Sequence, residues 1–220
     1  MLISPKKRRF FVSKVLGWGH NNIRDFPWRR TTNAFHVLIA ELMLQRTNAD
    51  QVEPVYKKFI AQYSSPQDVA KTPLGDIAKS LQSLGLAYRA HRLKRISDMI
   101  VEKFGSMVPR NEDALLQLPG VGKYIANAVR CFAFNMDAPL VDTNILRVMK
   151  RVFSITTSEE SHKDLEIWSL VTSIIPKQKA REFNLSILDF ASLVCTARNP
   201  IHGACPLKGI CDFYARTNPL

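Results

Sequence analysis

The sequence predicts an all-α protein, and three observations carry that prediction. Apolar residues recur at spacings of three and four through most of the chain. Gly, Pro and Ser punctuate these periodic runs at intervals that suit helices joined by short turns. No stretch alternates apolar and polar residues for long enough to make a useful strand.

Taken in order, residues 1–9 read as a solvated arm carrying Lys6-Lys7-Arg8-Arg9, and Phe10 to Trp18 as a short helix. Asp25-Phe26-Pro27-Trp28-Arg29-Arg30 is a proline-bearing connector. The helical period then runs through Ala34–Arg46, Asp50–Tyr63, Pro66–Lys71, Leu74–Leu84 and Tyr88–Phe104. A polar-patterned segment, Asn111–Gln117, leads through Leu118-Pro119-Gly120-Val121-Gly122-Lys123-Tyr124 into an apolar helix, Ile125–Phe134. Asn144–Phe153, His162–Ile175 and Ala180–Val194 repeat the pattern. The expected domain division is discontinuous. Residues 34–137 form one bundle, residues 1–33 and 138–220 form a second, and a substrate would lie in the cleft between them.

Charge and cysteine usage narrow the function classes. At 220 residues and 46% hydrophobic content the chain can bury a sizeable core. Its formal charge of +12 implies a polyanionic partner, of which nucleic acid is the usual one. No apolar run approaches the ~18 residues of a membrane span, and no secretion signal is visible. We therefore expect an intracellular protein, cytoplasmic and nucleoid-associated, with no membrane partner. Of four cysteines, Cys195, Cys205 and Cys211 crowd the tail, which in such a chain favours a metal or cluster site over disulfides. Cys131, on the apolar helix after the hairpin, reads as core.

The stretch Leu118–Tyr124 is a tight hairpin, because glycine takes positive φ without strain. Its backbone N–H groups at Gly120 and Gly122, with the dipole of the next helix, form a site for a phosphate. An ordinary connection between two helices fits this heptapeptide alone equally well. Asp142, ahead of Thr143-Asn144, reads either as a helix N-cap or as a working carboxylate. Glu41 stands in the apolar run Val37–Leu44, where a glutamate commonly marks the exposed face.

Set together, Leu118–Tyr124, then Val141-Asp142-Thr143-Asn144 with Arg147-Val148 one turn on, resemble the helix-hairpin-helix, glycine/proline-rich-loop, aspartate superfamily of DNA base-excision glycosylases. Asp25-Phe26-Pro27-Trp28-Arg29 and Glu41-Leu42-Met43-Leu44-Gln45-Arg46-Thr47 are similar to the branch of that superfamily holding MutY adenine-DNA glycosylases and Mig-type thymine-DNA mismatch glycosylases. The resemblance covers nearly the whole chain. It implies a two-domain helical fold that binds double-stranded DNA containing a mismatched base. The target nucleotide is flipped from the stack, because its glycosidic bond is out of reach inside a duplex.

The resemblance also implies roles for individual residues. Asp142 is the catalytic carboxylate. Tyr124 stands where strand-cleaving members carry a Schiff-base lysine, and a phenol cannot form that adduct, so the expected activity is base removal without strand cleavage. Glu41 matches the acidic residue of the base pocket, where burial would favour its protonated form. Gln45 and Arg46 match the loop that probes the gap left by the flipped base, and Arg46 agrees with the thymine branch, where the adenine branch has glutamine. Tyr88 falls in a second DNA-facing loop, Leu86–Ala90, as a wedge or as packing. Gly120, Gly122 and Lys123 would anchor backbone phosphates.

Many relatives hold a [4Fe–4S] cluster on four cysteines spaced x6, x2, x5. Here the series is Cys195-x6-His202-x2-Cys205-x5-Cys211, with histidine at the second place. A [4Fe–4S] cluster with Cys3His ligation is the leading expectation, since imidazole can replace thiolate on iron. A three-iron cluster, a zinc site or no cofactor are the alternatives. The leading function is a monofunctional, monomeric glycosylase removing thymine or uracil opposite guanine. The alternatives are an adenine-DNA glycosylase acting opposite guanine or 8-oxoguanine, and a non-catalytic DNA-binding module. Against the adenine reading, the chain ends shortly after Cys211, where adenine enzymes continue into a domain that reads 8-oxoguanine.

Overall fold

The computed structural model describes residues 3–85, 88–156 and 165–218, and among these every regular element is a helix. In chain order they are α1 (Pro5–Gly19), α2 (Ala34–Leu44), α3 (Ala49–Gln62), α4 (Pro66–Lys71), α5 (Leu74–Ser80), α6 (Tyr88–Lys103), α7 (Glu112–Leu116), α8 (Lys123–Phe132), α9 (Thr143–Phe153), α10 (Leu165–Ile174), α11 (Ala180–Leu193) and α12 (Asp212–Thr217). None of the described helices is long and apolar enough to cross a membrane. The chain divides into two units, Asp25–Asn135, and Met1–Arg24 with Met136–Leu220.

In the first of these units α2 is the centre. Asn33 caps it by accepting the N–H groups of Phe35 and His36, and its side chains are buried almost all round, from Phe35 to Met43. A helix apolar on every side must be enclosed, and α3, α6 and α8 pack against it. The connector belongs to this unit: Phe26 stacks on Trp28, which meets Tyr56 edge-on. Burial pushes the Tyr56 hydroxyl up to about 12.

In the other unit α1 lies against α11, and α9 against α11 and α12. Phe11 meets Phe153 and Phe183 edge-on in its core. A Cβ at Gly19 would overlap Ser186 Oγ and stand 2.5 Å from Ser186 Cβ, so this glycine permits the close approach of α1 to α11. Asp189, fully buried on α11, accepts the backbone N–H of Arg24 at 2.7 Å and its guanidinium Nε and Nη2 at 2.9 and 2.7 Å.

Several expected boundaries move. The arm of residues 1–9 is helical from Pro5, because Ser4 accepts the Lys7 N–H and Pro5 occupies the first turn. Lys7 pairs with Asp212 at 2.7 Å and Arg8 donates to the Ser173 carbonyl at 3.1 Å, so these charges are anchored rather than freely solvated. The helix expected over Ala34–Arg46 ends at Leu44, and that over Leu74–Leu84 breaks after Ser80 into a 3-10 turn, Gln82–Leu84. The helix expected from Ile125 opens at Lys123 and stops at Phe132. Residues 162–164 of the helix expected from His162 lie outside the described residues. Helix α12 was not expected; at six residues it is too short to show a period.

Removing the charge of Asp189 strands a guanidinium that the fold has already partly desolvated. Asp189→Asn is expected to lower unfolding free energy by about 3 kcal/mol, read as a fall in the denaturant midpoint at unchanged m-value. An unchanged midpoint would show that this pair does not hold residues 20–24 to α11.

Candidate active site

The candidate residues fall in both units. In Asp25–Asn135, α7 and α8 flank the hairpin. Asn111 caps α7, and Leu115 and Leu118 bury its apolar side. The Val121 N–H returns to the Leu118 carbonyl at 3.0 Å, which closes the turn. Gly120 sits at φ +75, whereas Gly122 is extended and serves as the N-cap of α8. Only the first glycine therefore has the positive φ expected of the hairpin. A Cβ on Gly120 would also meet Arg92 Nε at 2.5 Å and Cδ at 2.6 Å. A Cβ on Gly122 would meet nothing within 4 Å, so its smallness serves no packing inside the protein. Lys123 and Tyr124 open α8, both half-buried.

Glu41 is 7% exposed on α2, so it occupies the buried side of the run and not its solvent face. Beyond Leu44 the chain turns sharply. Gln45 is extended and Arg46 adopts φ +57, a left-handed conformation that is costly for a residue with a side chain. Gln45 brings this turn to the hairpin: its Nε2 donates to the Gly120 carbonyl at 3.3 Å and its Oε1 accepts from Arg92 Nη1 at 2.8 Å. Arg46 is exposed, as is Tyr88, whose ring lies 5.4 Å from the Arg92 guanidinium. Leu86 and Ala87 of the expected second loop lie outside the described residues.

Asp142 belongs to the other unit. It is the N-cap of α9, its Oδ1 accepting the Ile145 N–H at 2.7 Å and its Oδ2 accepting Asn144 Nδ2 at 2.9 Å. Asn144 is fixed in turn by Arg147 Nη2, 3.1 Å from its Oδ1. The same guanidinium donates to the carbonyls of Cys195 and Ala191, each at 2.8 Å. The carboxylate is thus the end of a chain of hydrogen bonds that starts on the backbone of the cysteine-bearing tail. The N-cap geometry is present, and an N-cap is no obstacle to a chemical role.

That tail forms a pocket. Cys195, His202, Cys205 and Cys211 line it together with Arg151, Phe213 and Tyr214. The cysteines are free thiols. Burial pushes the thiols of Cys205 and Cys211 up, and the neighbouring cysteines act in the same direction. Arg151 Nη1 lies 3.4 Å from Cys195 Sγ. The imidazole of His202 packs edge-on against Tyr214, with Nδ1 3.5 Å from Asn218 Nδ2. Among the described residues no three such donors stand close enough together to hold a single ion. A soft, thiol-rich set spread around a pocket fits a multi-iron cluster, whose ligands attach at separate corners.

Two residues of this region escaped the sequence reading. Arg89 and Arg92 both act on the turn after α2, Arg89 being only 3% exposed. The signal was present: Arg89 occupies a place in the apolar stripe Leu93, Ile96 and Ile100 of α6, where a charged residue needs a partner.

Comparison with known proteins agrees with this geometry. Residues 39–171 match the family model described as HhH-GPD superfamily base excision DNA repair protein, and residues 195–211 match the iron-sulfur binding domain of endonuclease III. A thymine/uracil-DNA glycosylase of Methanothermobacter thermautotrophicus is 39% identical over 96% of both chains. An adenine DNA glycosylase of Mycolicibacterium smegmatis is 36% identical over 89% of this chain and 67% of its own length. The solved structure of a thermostable thymine-DNA glycosylase superposes with a TM-score of 0.92 at 39% identity, covering 96% of this chain and 98% of that one. With the hairpin, the capped aspartate and the cysteine tail each in place, the chain belongs to the HhH-GPD superfamily of base excision DNA repair proteins.

Proposed function

We propose that this protein removes thymine or uracil mispaired with guanine from double-stranded DNA, hydrolysing the N-glycosidic bond and leaving the strand intact. The observation that carries the reading is its likeness, along nearly the whole chain, to thymine/uracil-DNA glycosylases. Arg46 on the turn after α2 supports it, since a guanidinium entering the gap can hydrogen-bond the edge of the estranged guanine.

The chain's own groups divide the work. Extruding a base costs roughly a few kcal/mol, and least for a mispaired one, which itself selects mismatches. The hairpin meets that cost by holding the backbone. Gly122 lacks a side chain that could cap α8, so a phosphate oxygen takes that place against the first amides, with Lys123 beside it. As the C1′–N1 bond of the flipped pyrimidine breaks, positive charge develops on the sugar, and the Asp142 carboxylate stabilises it. Water adds to C1′ and its proton ends on the departing base, giving free base and an abasic sugar. Glu41, buried on α2, contacts the base or relays that proton to it, giving up its own and taking the water's in return. Tyr124, in place of an amine, gives no covalent route to strand cleavage.

Cys195, His202, Cys205 and Cys211, which line one pocket, would hold a [4Fe–4S] cluster in this reading. Bound there, it would tie down the tail, whose Arg198 and Lys208 are exposed cations suited to phosphate.

Duplexes carrying T·G, U·G, A·G or A·8-oxoguanine test the substrate. Breaks are expected at T·G and U·G, and only after alkali; action confined to A·8-oxoguanine would replace this reading with the adenine one. Borohydride should trap no covalent protein–DNA adduct, and efficient trapping would refute the role of Tyr124. For the cofactor, anaerobically purified protein should carry iron and acid-labile sulfide, and His202→Ala should lose most of both. Zinc without sulfide would remove the cluster from the account.

A further inference from the structure

Arg89 is the least explained charge in the Asp25–Asn135 unit. Its Nη1 donates to the Met43 carbonyl at 2.6 Å, and its Nη2 to the Gln45 carbonyl and to Thr47 Oγ1, the latter at 2.9 Å. All three acceptors are neutral oxygens of one short segment, residues 43–47. Arg89 is 3% exposed and its Nε makes no hydrogen bond. A buried cation set among neutral acceptors, with its Nε unpaired, is a poor way to gain stability. It is a good way to hold a backbone still, because the planar fork grips several carbonyls at fixed angles.

What it holds is the turn bearing Arg46. A non-glycine residue in the left-handed region persists only where its surroundings over-determine it. Arg89 grips the chain immediately before and after Arg46, at Gln45 and Thr47. One helical turn along α6, Arg92 grips the Gln45 side chain, which also bonds to the Gly120 carbonyl. Gly120 has no Cβ, and Arg92 fills the space one would need. The phosphate-binding hairpin and the Arg46 turn are therefore tied into one body through two arginines of α6.

We propose that Arg89 and Arg92 are positioning residues for mismatch interrogation: they preset the Arg46 turn at a fixed offset from the hairpin, so that a phosphate seated on the hairpin delivers Arg46 to the base stack. This inference rests on the reading of Gln45 and Arg46 as the loop that enters the gap. Misplacing a group by about 1 Å can cost ~100-fold in rate, so a loosened turn should slow base extrusion without weakening attachment to duplex.

Arg89→Lys keeps the charge and loses the fork; Arg92→Met, at a half-buried site, keeps the stem and loses the grip on Gln45. Each full-length variant is compared with wild type in thermal midpoint, affinity for matched duplex, and single-turnover base release from T·G at saturating enzyme. The fluorescence of 2-aminopurine next to the thymine reports extrusion directly. Both variants are expected to extrude and release the base about 10-fold or more slowly. Arg92→Met should keep its thermal midpoint and should bind matched duplex within about threefold of wild type. Wild-type rates of extrusion and release in Arg92→Met would overturn the proposal, as would a rate loss matched by an equal loss of duplex affinity. If wild type itself leaves T·G untouched, the substrate reading fails instead, and the same comparison on whichever mismatch it does process still expects the slowed extrusion.

Discussion

Both oxygens of Asp142 are engaged, one by the Ile145 amide and the other by Asn144, and the proposed chemistry of the site depends on that arrangement. A carboxylate that accepts a hydrogen bond on each oxygen is held in one orientation and cannot rotate away. Charge placed before the reaction begins needs no reorganisation while the glycosidic bond breaks, which is why fixed groups stabilise a transition state better than mobile ones. The restraint does not stop at Asn144. Arg147 carries it to the backbone at Ala191 and Cys195, so the geometry of the aspartate and that of the cysteine tail rest on shared hydrogen bonds.

The other unit treats its own groups in the same manner. Glycine at position 120 admits Arg92, Arg92 holds Gln45, and Arg89 holds the Gln45 carbonyl and the Thr47 hydroxyl on either side of Arg46. Glu41 is fixed by burial within α2. A protein with an excess of twelve positive charges is drawn to DNA of any sequence, and that attraction carries no information about mismatches. The proposed discrimination would come from a few groups held rigidly, and in this unit a left-handed turn at Arg46 is held by the buried Arg89.

Much of this was legible in the sequence where local chemistry decides the structure. Helix α4 runs over Pro66–Lys71 as read, because a capping box between Ser65 and Asp68 and a proline at the first turn are all local signals. The hairpin was legible for the same reason. What the period could not show were structures held by distant partners. Lys7 finds Asp212 and Arg8 finds Ser173, which turns a charged arm into the first turns of a helix. Nothing near Arg46 announces a left-handed turn; it is imposed by Arg89, more than forty residues on. Glu41 was ambiguous because one glutamate in an apolar run fits either face, and only packing on α3, α6 and α8 decides that it is buried. The role of the tail histidine was open from spacing, and it now lines one pocket with the three cysteines.

The central claim is that the Asp142 carboxylate acts on the sugar and does more than cap α9. Asparagine separates the two roles, since it caps a helix about as well as aspartate but carries no charge. Single-turnover release of thymine from a T·G duplex by Asp142→Asn, measured beside duplex affinity and thermal midpoint, tests this directly. A rate lower by ~100-fold or more is expected, with affinity and midpoint close to wild type. A variant that releases thymine at near the wild-type rate would contradict it.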